Sequence, residues 1–120
     1  MDESSVKKIL DDLQRLDDVQ ACMLAKRHAG IITPEKKIKL KNMTLWKLIN
    51  DTTDKFFEIA NFFYQYGLSK IYFEIGELEI ILSLIEPDVG LLVVIPSLAN
   101  KGLLEVEIEN AKRAIAQLKE

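Results

Sequence analysis

Cys22 and His28 are the only thiol and the only imidazole in 120 residues, and that scarcity decides most of the chemistry open to the chain. One thiol forms no internal disulfide and no dithiol redox pair, and one imidazole beside it is too few ligands for a Cys/His zinc cluster. Cys22 lies in an apolar stretch, where burial keeps a thiol protonated and inert. His28 lies in the run Arg27-His28-Ala29-Gly30 without a second histidine, which reads as an exposed turn residue rather than a ligand or base. Glu74 and Glu79 would face each other across a hairpin and imitate a paired-carboxylate site. With no cleft and no third polar group, an exposed sheet face explains them better. No glycine-rich phosphate cradle is present. Binding is the chemistry that remains, with no catalytic residue, metal or cofactor expected.

The one concentrated charge is basic. Lys26, Arg27, Lys36, Lys37, Lys39 and Lys41 against Glu35 leave this stretch at +5, so the rest of the chain carries −8 within a net charge of −3. Lys36, Lys37, Lys39 and Lys41 read either as a solvated edge or as a docking site for an acidic partner face. Nucleic acid fits less well, because no aromatic side chains interleave with these lysines as base-stacking platforms.

The elements that must position these residues follow from periodicity. Ser4 and Ser5 read as caps of a first helix with Val6, Ile9, Leu10, Leu13 and Leu16 on one face. Val19 to Lys26 reads as a strand buried on both sides, turning through Gly30 into a short return strand at Ile31 to Thr33. Glu35 to Asn42 is a basic connector or a lysine-protected edge strand. Residues 45 to 66 form a long helix closed by Gly67. On its wheel Leu45, Ile49, Thr52, Phe56, Ile59, Ala60 and Phe63 share the face expected to meet a sheet. Trp46, Phe57 and Tyr64 widen that face on one flank and Leu48, Phe62 and Tyr66 on the other, to an apolar arc of roughly 220°. One sheet cannot cover so wide an arc, so a second surface is required.

Ile71 to Ile75 and Leu78 to Leu84 flank Gly76-Glu77, a two-residue hairpin turn that pairs Ile75 with Leu78, Phe73 with Ile80 and Ile71 with Leu82. Leu91 to Ile95 is an unbroken apolar strand that belongs at the sheet centre. A last helix runs from about Leu98 or Asn100 to Leu118. The expectation is a single α+β domain over 1–120 in three layers. A five-stranded antiparallel sheet carries both terminal helices on one face and the middle helix on the other, in the order α-β-β-α-β-β-β-α. The start Met1-Asp2-Glu3-Ser4-Ser5 lacks the features of a secretory signal, and Leu91 to Ile95 is far too short for a membrane span, so a cytoplasmic protein is expected.

This order resembles the roadblock family of dynein light chain and GTPase-regulator domains, related in architecture to longins and profilins. The resemblance rests on the element order, the β-turn-β with Gly30, the alternating hairpin and Asn100-Lys101-Gly102-Leu103-Leu104 before the last helix. The turn at Arg27-His28-Ala29-Gly30, with no acidic residue before its glycine, and the basic connector depart from the family pattern. The resemblance implies a homodimer, or a heterodimer with a related roadblock subunit, whose sheets join edge to edge and whose middle helices pack together. It also implies binding to a Ras-like small GTPase, as an activating protein or scaffold, or attachment to a motor or signalling complex. On this chain the interface is expected at Trp46, Leu48, Ile49, Thr53, Phe57, Ala60, Phe62 and Tyr64 of the middle helix, with Ile71, Tyr72 and Phe73 of the hairpin's first strand. A small-ligand sensor of profilin-like architecture, using the space between sheet and middle helix, and a weak polyanion binder acting through Lys36 to Lys41 are the alternatives.

Overall fold

The computed structural model describes residues 2–118. The elements are α1 (Glu3–Gln14), β1 (Ala21–Lys26), β2 (Gly30–Ile32), α2 (Met43–Tyr64), β3 (Lys70–Ile75), β4 (Leu78–Glu86), β5 (Val89–Pro96) and α3 (Lys101–Gln117). The strands form one antiparallel sheet in the order β2-β1-β5-β4-β3.

Strand alternation sorts the core into two layers. Cys22 and Leu24 of β1, Ile81 of β4 and Leu91, Val93 and Ile95 of β5 point to α1 and α3, where Val6, Leu10, Ile108 and Ile115 cover them. Ala21, Met23, Ile80, Leu82, Leu92 and Val94 point the other way, to Trp46, Ile49, Phe57 and Ala60 of α2. The continuous apolar run of β5 is thus explained by its central place: both of its faces are inside. The β3–β4 register is Ile75–Leu78, Phe73–Ile80 and Ile71–Leu82, as the Gly76-Glu77 turn requires, and Gly76 takes the positive φ of 60° that a glycine tolerates there.

Three local expectations change. Asp2, not Ser4 or Ser5, caps α1: its carboxylate accepts from the Ser4 N–H and from the Ser5 hydroxyl, and an ionised oxygen is a stronger acceptor than a serine hydroxyl. The connector is not a strand. It is held by the Gln20 carbonyl, which accepts the N–H groups of Lys39 and Leu40 at 2.7 and 3.0 Å. Finally, α2 is rotated relative to its expected face. Trp46, Ile49, Thr53, Phe57 and Ala60 are buried, whereas Ile59 and Phe63 are exposed. The 220° arc offered more than one face, and the sheet took the one with small residues at its middle. Ala60 shares its buried layer with Ala21 and Ala25 of β1, and the Thr53 hydroxyl is satisfied by the Asn50 carbonyl.

Gly90 of β5 makes room for this packing. A Cβ there would lie 2.8 Å from Leu82 Cδ1, 3.3 Å from the Ser83 carbonyl oxygen and 3.4 Å from the Phe57 ring. Gly90→Val is expected to cost about 1–3 kcal/mol by overpacking, read as a lowered urea midpoint at unchanged slope. A midpoint at or above that of the parent would show that the strand relaxes freely.

Candidate interaction surfaces

The thiol and the imidazole lie in opposite surroundings, one buried and one exposed. The Cys22 thiol is buried, directed at the Leu10 carbonyl at 3.5 Å and at Gln14 Oε1 at 3.7 Å, and burial pushes its pKa up to about 12. Exposed His28 meets one acidic residue that the sequence did not reveal. Its N–H donates to Asp54 Oδ1 at 3.0 Å and its Nδ1 lies 3.3 Å from Asp54 Oδ2, which ties the β1–β2 turn to α2. Glu79 is not on an exposed face. It is 3% exposed, with Oε2 2.6 Å from Lys101 Nζ in the first turn of α3, and that carboxylate raises the pKa of Lys101. Its cross-strand partner Glu74 stays in solvent. Among the described residues no group of three or more His, Cys, Asp or Glu side chains is arranged to hold a metal ion. No described helix is long and apolar enough to cross a membrane.

The unusual surface is apolar. Leu48, Ile59, Phe62 and Phe63 of α2 stand out from the sheet, each more than half exposed, and the exposed Tyr66 follows just past the helix end. Leu48, Ile59 and Phe62 fall within about 60° on the wheel, opposite the buried stripe. Beside them lies β3, the last strand of the sheet, paired on one side only. Phe56 of α2 and Phe73 of β3 join helix to edge with ring centroids 4.6 Å apart. Ile71 and Phe73 are half-buried on the α2 side. Tyr72 points to the other side, where its hydroxyl donates to Glu105 Oε1 at 2.9 Å. Loss of water around that hydroxyl, together with the Glu105 carboxylate, pushes the Tyr72 pKa up to about 12.

Neither a family model nor a curated protein matches the sequence. Solved structures do match its shape. Myxococcus xanthus MglB superposes with a TM-score of 0.76 at 14% identity, covering 94% of this chain and 93% of that one. A Roadblock/LC7 domain from Streptomyces avermitilis gives 0.69 at 12% identity, over 93% and 95% of the two chains. A structure of MglB in a tetrameric arrangement gives 0.69 at 12%, over 96% and 88%. The chain has the roadblock fold.

Within this roadblock fold the expected interface residues separate into two sets. Leu48, Phe62, Tyr64 and Tyr72 are exposed, and Ile71 and Phe73 line the free edge. Trp46, Ile49, Thr53, Phe57 and Ala60 are 0–8% exposed against the chain's own sheet, so their side chains have almost no area left to offer a partner. Ile59 and Phe63 replace them on the outward face, a position the helix wheel had assigned to the core. The space between sheet and α2, which a ligand sensor would use, is occupied by Met23, Phe57, Ile80 and Leu82, all fully buried.

The four connector lysines also divide. Lys39 is exposed, yet its Nζ is engaged, donating to the Gln14 and Leu16 carbonyls at 3.0 and 2.7 Å. It therefore satisfies carbonyls at the end of α1, where a cation is favoured, and is not free to dock. Lys36, Lys37 and Lys41 are exposed, and their ammonium groups make no ion pair among the described residues.

Proposed function

We propose that this chain is a single, non-catalytic roadblock module of the cytoplasm that pairs with a second copy of itself and regulates or scaffolds a Ras-like small GTPase. The observation that carries the pairing is the juxtaposition of an apolar α2 stripe with the one-sided edge strand β3. An unpaired strand edge is a template for another strand, and a symmetric dimer of such edges would bring the two α2 stripes together. The tetrameric arrangement of MglB among the similar structures supports self-association, and a related roadblock subunit would use the same edge. The GTPase part rests on the roadblock resemblance. Of the chain's three arginines, Arg15 pairs with Asp12 and Arg27 with Asp88, and Arg113 belongs to no recognisable finger motif. Regulation would therefore act by holding the GTPase's own catalytic groups in place.

Ile59→Glu combined with Phe62→Glu is expected to convert the dimer to monomer in sedimentation equilibrium. Each removes an apolar contact worth about 1.5–3 kcal/mol from both halves of a symmetric interface and adds like charges across it. An unchanged dimer mass would remove this surface from the interface. Capture from native extract followed by a nucleotide-hydrolysis assay tests the GTPase reading. Recovery of a GTPase whose hydrolysis rate changes on addition of the dimer supports it, and a dimer that captures no GTPase sinks it.

A further inference from the structure

The geometry points to the basic connector as a docking groove for a short acidic segment, carrying an apolar residue, of a partner protein. The connector crosses the end of the sheet from the layer of α1 to that of α2. The Lys36 N–H donates to Asp11 Oδ1 of α1 at 2.8 Å, Lys39 and Leu40 hang from the Gln20 carbonyl, and Ile38 and Leu40 pack into the α2 core. Its backbone is therefore held in place before any ligand arrives, which lowers the ordering cost of binding.

Between Lys37 and Met43 this path leaves an open groove of about 650 Å3, lined by Lys37, Ile38, Lys39, Leu40, Lys41 and Met43. No acidic residue lines it. Lys7, Lys47, Lys70, Lys101 and Lys112 each hold a carboxylate with the ammonium group. The ammonium groups of Lys36, Lys37 and Lys41, like those of Lys8, Lys26 and Lys55, hold none among the described residues, and only in the connector do three such lysines fall within six residues. The first turn of α2, which starts at Met43, also has no acidic residue to offset its positive end. Met43 is 56% exposed, so charge and an apolar contact are offered side by side.

The same features select the occupant. Electrostatic reach in physiological salt is about 8 Å, and the molecule measures 32 × 29 × 28 Å. A short peptide in the groove would feel the local lysines. A concave floor of Ile38, Leu40 and Met43 favours an inserted side chain, and no aromatic residue is there to stack on a base. The groove lies beside the start of β1, where Gln20 holds Lys39 and Leu40, and β1 is separated from β3 by β5 and β4.

A fluorescein-labelled peptide, DEDLEDFEE, is the probe, with fluorescence anisotropy in low salt as the readout. Lys37→Glu with Lys41→Glu is expected to weaken binding by at least about tenfold. Replacing the peptide's Leu and Phe by Ser should weaken it by about fivefold or more. Both substituted lysines are exposed, so the melting temperature should hold. The inference is overturned by absence of peptide binding, by indifference to the charge reversal or to loss of the apolar residues, or by tighter binding to phosphatidylserine vesicles or single-stranded DNA. Dimer mass is measured on the same samples, which separates failure of this groove from failure of the α2 and β3 surface.

Discussion

Phe57→Ala is expected to lower the unfolding free energy by about 3–5 kcal/mol, a large part of the 5–15 kcal/mol typical of a domain. Phe57 is 0% exposed in the middle of α2 and packs in the layer formed by Met23, Ile80, Leu82 and Leu92. Gly90 lies directly beneath its ring. The strand was left without a side chain at the point where the ring enters, so truncation opens a cavity that neighbouring strands, each paired on both sides, cannot close. Phe57→Glu is expected to abolish the cooperative transition, because the site offers a carboxylate no donor. Phe62, one and a half turns further on and 67% exposed, supplies the contrast: Phe62→Glu should leave the stability of the monomer within about 0.5 kcal/mol. The measurement is urea unfolding at one fixed low protein concentration, since dimerisation adds a concentration-dependent term. Equal losses at Phe57 and Phe62 would mean that the two faces of α2 are not assigned correctly.

That contrast marks where sequence reasoning reached its limit. The β3–β4 register was legible because a two-residue glycine turn leaves one pairing, and the placement of β5 was legible because an unbroken apolar run has no solvent face to offer. The face of α2 was not legible. Its apolar residues outnumber what one sheet covers, and a helical wheel ranks positions by hydrophobicity without showing which part of so wide an arc the sheet will take. The excess itself was legible as a demand for a second covering surface, although the residues now exposed include Ile59 and Phe63 in place of Trp46 and Phe57. The lysines of the connector are equivalent as sequence. Only the crossing of the sheet end turns Lys39 onto the carbonyls of α1 and leaves its neighbours in solvent. Glu79 was misplaced for a similar reason, since its partner Lys101 belongs to a helix that the hairpin pattern says nothing about.

Alkaline pH is expected to unfold this chain through a side chain with no part in binding. The Cys22 thiol ionises near 9.0 when exposed and at about 12 in the folded chain, because burial penalises the thiolate. A folded pKa above the unfolded one means that the native state holds the proton more tightly. The resulting stability is fully present below pH 9 and lost as pH rises towards 12. By pH 11 the loss amounts to about 3 kcal/mol. Tyr72, raised to about 12 by desolvation and Glu105, acts in the same direction above pH 10, with a smaller effect because it is 44% exposed. Urea unfolding of the parent and of Cys22→Ala at pH 8 and pH 11 isolates the thiol, since every other titrating group is common to both. At pH 8 the variant should be less stable by about 1 kcal/mol for the lost sulfur contacts. Between pH 8 and pH 11 the parent should lose about 3 kcal/mol more than the variant, so the order of stability reverses. Parallel losses would show that Cys22 reaches solvent in the folded chain. They would also reopen the thiol chemistry that its position between Leu10 and Gln14 now closes.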